Sequence, residues 1–116
     1  MIKEAIVTIM IIDMDRSIEF YTKLLGFKLI NRAGDEWVEI QAPGLVIGLH
    51  KKDGHSSHVK VGDNMSIGFS VDDIKKVIKH FEGKGLKIQP YEAEAVSLGF
   101  FKDLDDNQLY FVEEKK

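Results

Sequence analysis

Residues 9–27 read IMIIDMDRSIEFYTKLLGF, and the same order of features returns about 60 residues later, where residues 67–86 read IGFSVDDIKKVIKHFEGKGL. Each stretch begins with apolar, partly β-branched residues that predict a buried strand. An aspartate follows as a helix N-cap, and then come an amphipathic helix and a glycine that ends it. Because a repeat decides the architecture, we expect two similar modules with a functional surface between them.

The segments around the two copies extend both modules in the same way. Strands are predicted near residues 4–12, 27–32, 36–41 and 45–50, and again near residues 65–71, 86–92, 95–102 and 108–113. The first helix is expected to begin after Asp13 or Asp15 and to reach Leu25, and the second to begin after Asp72 or Asp73. The predicted fold class is therefore α+β: two βαβββ modules, with eight strands curved around a concave cleft and two helices outside.

Length and composition predict one domain over residues 1–116, with module one at about 1–51, a connection at about 52–63 and module two at about 64–116. A net charge of -3 without a basic stripe argues against a nucleic-acid partner. The longest apolar stretch, residues 5–12, is too short to span a bilayer and makes a poor signal peptide. The chain has no cysteine, so the sequence gives no reason to propose an oxidising compartment. We therefore expect a cytoplasmic protein without a membrane partner.

Residues 13–27 closely resemble the helix signature Asp-Leu-x-x-Ser-x-x-Phe-Tyr…Leu-Gly-Phe of the vicinal-oxygen-chelate superfamily, which contains glyoxalase I, bleomycin-resistance proteins and extradiol dioxygenases. Residues 103–107, DLDDN, resemble the superfamily's Asp-Pro-Asp-Gly-Asn turn before the last strand, and depart from it at Leu104 and Asp106. Aspartate tolerates the left-handed backbone that the glycine would adopt, so the turn is expected to form. The resemblance covers essentially the whole chain and implies the fold, which hosts several chemistries.

Metal-dependent members of that superfamily hold one divalent ion with His, Glu or Gln side chains from the first and fourth strands of each module. The resemblance places these four positions at Ile6, Gly48, Ser66 and Tyr110. The first two cannot ligate, serine is a poor neutral ligand, and a phenol binds metal well only when its pKa of about 10 is lowered. We therefore expect no metal site and no cofactor. His55 and His58 lie in the predicted connection without a carboxylate partner at fixed spacing, and are interpreted as loop histidines.

Period-two alternation gives each strand one plain core face and a second face that mixes aromatic, polar and small residues. With sheets curved as the resemblance implies, that second face supplies six candidate ligand-binding residues: Met10, Trp37, Glu39, His50, Phe100 and Tyr110. Trp37 would stack on a flat ligand, Glu39 would pair with a cationic group and Tyr110 would offer a hydroxyl. In the alternative interpretations, Trp37 fills a dimer interface or covers the core. Glu39 is then an exposed carboxylate on a strand, and Tyr110 only packs against its neighbours.

Three functions stay open at this stage. The first is a metal-free small-molecule-binding protein that resembles bleomycin-resistance-type sequestration proteins, with an aromatic or cationic organic ligand. The second is an enzyme, either a glyoxalase I-like isomerase or lyase or an extradiol-type dioxygenase, with displaced metal ligands such as His50 and Glu39. The third is a non-catalytic structural or regulatory dimer. A homodimer is expected under all three, because the superfamily commonly pairs modules across subunits.

Overall fold

A computed structural model describes residues 6–52 and 66–115 of the chain. In these residues the order βαβββ occurs twice, which confirms the predicted α+β class. The strands and helices are β1 (Val7–Ile11), α1 (Met14–Glu19), β2 (Lys28–Ala33), β3 (Trp37–Ala42), β4 (Leu45–Lys51), β5 (Ser66–Ser70), α2 (Ile74–Glu82), β6 (Gln89–Glu92), β7 (Val96–Lys102) and β8 (Gln108–Glu114). Apart from Lys52, the predicted connection lies outside the described residues.

The strands form two separate four-stranded sheets, which do not close into a barrel. Sheet one has the order β1-β4-β3-β2 and sheet two the order β5-β8-β7-β6. In each sheet the first strand pairs in parallel with the fourth, and the remaining pairs are antiparallel. Neither α-helix of the described residues has the length and apolar character needed to cross a membrane.

Alternation along the strands separates a core face from an open face in each sheet, as the sequence predicts. The core faces carry buried side chains such as Ile11, Ile40 and Leu49 in sheet one and Leu109 and Phe111 in sheet two. These side chains belong to one continuous apolar cluster that includes residues of both modules. The open face of each sheet is the opposite one, and it carries the candidate site.

Aspartate side chains begin both helices. Asp13 Oδ1 accepts a hydrogen bond of 3.1 Å from Arg16 N, and Asp73 Oδ1 accepts one of 3.2 Å from Lys76 N. Each carboxylate therefore satisfies an amide that has no partner within its helix. The N-cap residues are therefore Asp13, and not Asp15, in the first helix and Asp73, and not Asp72, in the second.

The first helix differs from the single regular helix predicted up to Leu25. It is α-helical only over Met14–Glu19 and continues as a wider π-helical turn over Phe20–Leu24, where Leu25 N donates to Phe20 O at 3.1 Å. The Thr22 hydroxyl also donates to Ile18 O at 2.7 Å, a back-bond that competes with the regular helical ladder. Periodicity predicts that a helix forms but does not reveal this widening.

A buried hydrogen bond joins the first helix to module two. The Tyr21 hydroxyl, fully buried, donates to Asp103 Oδ2 at 2.6 Å. Asn107 Nδ2 donates to the same oxygen at 2.8 Å and to Met10 O, which lies on the outer edge of β1, at 3.1 Å. Desolvation by burial, followed by the nearby negative charge of Asp103, raises the pKa of Tyr21 well above its ordinary value. We call Tyr21, Asp103 and Asn107 the clasp.

The turn between β7 and β8 forms despite the two departures from the superfamily pattern. Asp106 adopts φ of 62°, the left-handed conformation that glycine would otherwise supply. The Asp103 carboxylate organises the turn by accepting hydrogen bonds of 2.9 Å from Asp105 N and Asn107 N. The Asp105 carboxylate accepts a hydrogen bond of 3.2 Å from Ile12 N, so the turn also covers the edge of β1. The expectation that aspartate replaces the glycine is confirmed.

The clasp predicts a large effect for Tyr21→Phe. Loss of the hydroxyl removes a hydrogen bond to a buried carboxylate, which should lower the free energy of unfolding by about 1–2 kcal/mol at neutral pH. This difference in stability from wild type should be fully present at any pH below about 10, the ordinary pKa of tyrosine. It should shrink as the pH rises through the higher pKa that Tyr21 has in the folded state. Urea denaturation of both proteins measures it. Tyr91→Phe, at a side chain that is 56% exposed, is the matched control and should change little.

The left-handed conformation of Asp106 predicts a substitution that stabilises the protein. Asp106→Gly relieves the steric cost of φ near 62° and should raise the free energy of unfolding by about 0.5–1 kcal/mol. Asp106→Ala retains that steric cost and should not stabilise the protein. Thermal denaturation of the three proteins tests the ranking, and equal stability of the Gly and Ala variants would contradict it.

Candidate functional site

The open face of sheet one carries four of the six predicted ligand-binding residues. His50 on β4 is the register neighbour of both Met10 on β1 and Trp37 on β3, and the His50 and Trp37 ring centroids lie 6.2 Å apart. Glu39 lies two residues along β3 on the same face, and its Oε1 accepts a hydrogen bond of 3.1 Å from Asn31 Nδ2. Sheet one therefore presents an indole, an imidazole, a thioether and a carboxylate on one surface.

The open face of sheet two carries the other two predicted residues. Phe100 on β7 and Tyr110 on β8 are register neighbours, with ring centroids 6.0 Å apart. Tyr91 on β6 extends this aromatic row, since its ring centroid lies 6.5 Å from that of Phe100. Leu98 and Val112, also register neighbours, add apolar surface on the same face.

The six residues therefore fall into two groups, one on each sheet. Among the described residues, the ring contacts made by the six residues stay on one sheet, and none of them joins Trp37 or His50 to Phe100 or Tyr110. Alternation predicts correctly which face each side chain occupies. It carries no information on the distance between the two sheets, so the sequence alone does not decide whether the six residues share one pocket.

Trp37 covers the backbone of Gly48 on the neighbouring strand. A Cβ atom built on Gly48 would lie 2.8 Å from Trp37 Cζ2 and would overlap the adjoining ring atoms. Gly48 is buried although it lies on the open face, because the six-membered ring of the indole occupies the space above it. A glycine at this position is what allows the indole to pack against the sheet.

Module two repeats this arrangement with different residues. The ring of Tyr110 covers Gly68, its register neighbour on β5, so that a Cβ atom on Gly68 would overlap the ring. Tyr110 is partly buried and its ring packs between Gly68 and Phe100. Each open face thus has one aromatic ring seated on a glycine.

The residues at the four expected metal-ligand positions do not fit a divalent ion. The space for a side chain at Gly48 is filled by Trp37, Ile6 is apolar and 43% exposed, and Tyr110 is engaged over Gly68. The remaining position, Ser66, has only a neutral hydroxyl. Within residues 6–52 and 66–115, no three His, Cys, Asp or Glu side chains are grouped to hold an ion. His55 and His58 lie outside the described residues.

Two residues of the site were missed by the sequence reasoning. Asn31 orients Glu39 across the β2–β3 pair, where an irregularity between Leu29 and Asn31 shifts the register by one residue. Regular alternation does not reveal such a shift, so Asn31 is not recognisable as a neighbour of Glu39 from the sequence. Tyr91 was missed because the short strand β6 is exposed along its whole length and has no alternating pattern.

The comparison with family models identifies the superfamily to which this fold belongs. The model of the Glyoxalase/Bleomycin resistance protein/Dioxygenase superfamily matches residues 5–111, and the chain belongs to this superfamily. The resemblance of the helix and turn motifs is thereby confirmed. A comparison with curated proteins finds no match.

Solved structures of several superfamily members share the fold. A superfamily member from Sphaerobacter thermophilus DSM 20745 is 23% identical, with a TM-score of 0.78 and coverage of 97% of this chain and 98% of that one. The antibiotic binding protein TnmS3 from Streptomyces sp. CB03234 is 17% identical, with a TM-score of 0.76 and coverage of 99% of both chains. Lactoylglutathione lyase from Agrobacterium tumefaciens is 15% identical, with a TM-score of 0.72 and coverage of 96% and 94%. At these identities the likeness shows the fold alone.

The packing of Trp37 predicts the effect of Gly48→Ala. The added methyl group must displace the indole, which should lower the free energy of unfolding by about 1–3 kcal/mol. Trp37 is the only tryptophan, so its emission should shift to longer wavelength as the ring becomes more exposed. Gly83→Ala is the control for the emission spectrum, because a Cβ atom there would lie nearest to the backbone oxygens of His80 and Lys79 and not near Trp37. An unchanged emission spectrum in Gly48→Ala would contradict the packing.

Proposed function

We propose that this chain is a metal-free small-molecule-binding protein whose ligand is aromatic or cationic, and that it acts by sequestration. The observation that carries the proposal is the pair of aromatic open faces. Partly buried rings with remaining exposed surface provide stacking area at low conformational cost. The six predicted residues are proposed as the ligand contacts.

The preference for a cation rests on Glu39. Its carboxylate lies on the same face as the Trp37 ring, and Asn31 holds one of its oxygens through a hydrogen bond. A positively charged group bound there would meet both the carboxylate and an indole ring, each of which attracts a cation. His50 Nδ1 lies 2.8 Å from Lys51 O, so the tautomer that donates this bond leaves Nε2 as an acceptor for the ligand.

The rival function is a metal-dependent enzyme with displaced ligands. Its specific support is that His50 and Glu39 share one face, on neighbouring strands. Two side chains leave a divalent ion short of protein ligands, whereas catalytic zinc sites commonly use three. The named structural neighbours, a binding protein and a lyase, favour neither function.

We also propose a homodimer in the cytoplasm. The two open faces carry complementary halves of the candidate site, and pairing of sheet one from one copy with sheet two of another would join them. A dimer whose open faces are buried by protein alone, without ligand, is the third candidate function. Sedimentation velocity measures whether the protein is a dimer. Thermal denaturation with and without proflavine then separates the two dimers, because only the ligand-binding one gains stability from the added compound.

A titration with proflavine, a planar aromatic cation, tests the ligand class. We expect saturable binding that quenches Trp37 emission, with affinity reduced about tenfold in Trp37→Ala as measured by calorimetry. Trp37→Phe should retain most of the affinity because it keeps an aromatic face. Glu39→Gln should weaken binding about threefold at low salt, whereas Glu36→Gln, on an exposed turn, should not.

Elemental mass spectrometry of untagged protein decides between binding protein and metalloenzyme. The proposal expects no stoichiometric transition metal as purified and none taken up on addition of zinc, nickel, manganese or iron. About one ion per chain, lost together with lyase or dioxygenase activity in His50→Ala, would overturn it in favour of the rival.

A further inference from the structure

An open cavity of about 660 Å³ lies where the first helix meets one end of sheet two. A neighbouring cavity of about 450 Å³ shares four lining residues with it, namely Phe20, Leu24, Lys84 and Leu104. Both volumes lie in the range of roughly 300–1,000 Å³ that is typical of small-molecule sites. Phe100 is the only one of the six predicted ligand contacts that lines either cavity, so this groove is distinct from the open face of sheet one.

The floor of the groove is apolar and is built from both modules. Phe20 and Leu24 come from the π-helical turn, whereas Leu86, Ile88 and Phe101 come from module two. The clasp holds these two surfaces at a fixed separation, because Tyr21 follows Phe20 directly and bonds to Asp103. The groove is therefore a preformed feature of the packed chain.

The rim of the groove is basic although the chain as a whole has a net charge of -3. The basic side chains that line the two cavities are Arg16, Lys23, Lys84, Lys87 and Lys102. Only Glu19 and Asp103 oppose them, and the Asp103 carboxylate already accepts hydrogen bonds from Tyr21, Asp105 and Asn107. In residues 6–52 and 66–115 the ion pairs within 4 Å are formed by Arg32 and Lys115, which leaves the rim cations for an incoming anion.

Leu104 gives the groove an apolar lip. Its side chain is 48% exposed and lines both cavities, at the turn position where the superfamily pattern has proline. A leucine this exposed next to an apolar floor extends the surface that an apolar ligand would cover.

We infer that this groove binds an organic anion with an apolar body, such as a medium-chain carboxylate. The apolar floor would cover the hydrocarbon portion, and the lysines of the rim would pair with the carboxylate in partly exposed positions. The charge preference is opposite to that proposed for Glu39, and the inference does not rest on the proposed function.

Calorimetric titration with dodecanoate in low-salt buffer tests the inference. We expect one site per chain, affinity for dodecanoate at least about tenfold higher than for dodecylamine, and weakening as salt is added. Lys84→Gln combined with Lys102→Gln should weaken binding about five- to tenfold. The matched control combines Lys28→Gln with Lys75→Gln, two exposed lysines outside both cavities, and should leave affinity unchanged. Equal affinity for the anion and the amine, or no effect of the rim variants, would overturn the inference.

A second pair of variants keeps the test independent of folding and of the open face of sheet one. Leu104→Glu adds a negative charge at the lip and should weaken dodecanoate binding about tenfold, whereas Leu29→Glu, at a leucine that is 41% exposed on β2, should not. Trp37→Ala should leave dodecanoate binding intact even if it abolishes binding of proflavine. If dodecanoate fails to bind and Leu104→Glu instead converts a dimer into monomers, the groove is a self-association surface and the inference is wrong.

Discussion

The buried hydrogen bond from Tyr21 to Asp103 is the interaction on which the relation between the two modules depends. It joins the first helix to the turn before the last strand, at a distance of 82 residues along the chain. The same carboxylate accepts hydrogen bonds from the amides that shape the turn. Side chains of the turn also bond to Met10 O on the outer edge of β1 and to Ile12 N directly after that strand. Side chains of the turn thereby cover an exposed strand edge. The buried Asp103 carboxylate in turn accepts hydrogen bonds at both of its oxygens.

Packing around the clasp explains why the chain has two different surfaces. The centroid of the Phe27 ring, just before β2, lies 5.2 Å from that of Phe69, so the apolar cluster continues from one module into the other. The core faces and the helices pack into this cluster, and the open faces lie on the opposite side of each sheet. The groove between the π-helical turn and module two is a consequence of the same junction, since its walls come from opposite sides of the clasp.

Each open face carries an aromatic ring at or next to a position where the superfamily resemblance places a metal ligand. At two of these four positions the chain has a glycine covered by Trp37 and a tyrosine that covers Gly68. The Trp37 ring fills the space that a side chain at position 48 would need, and the Tyr110 ring fills the corresponding space at position 68. Membership of the superfamily therefore identifies the scaffold and not the ligand.

The sequence by itself determined the βαβββ repeat, the core and open faces of the strands and the superfamily. It also narrowed the cap of each helix to two neighbouring aspartates. These features depend on local periodicity and on side-chain chemistry at fixed spacing, which are readable along a chain. The tertiary structure alone decided that the six predicted residues form two groups, that Asn31 orients Glu39, that Trp37 rests on Gly48, and that a basic groove lies beside the first helix. Each of these depends on a β-bulge, on a π-helical turn or on contacts between residues far apart in sequence, and no local pattern encodes the distance between two packed elements.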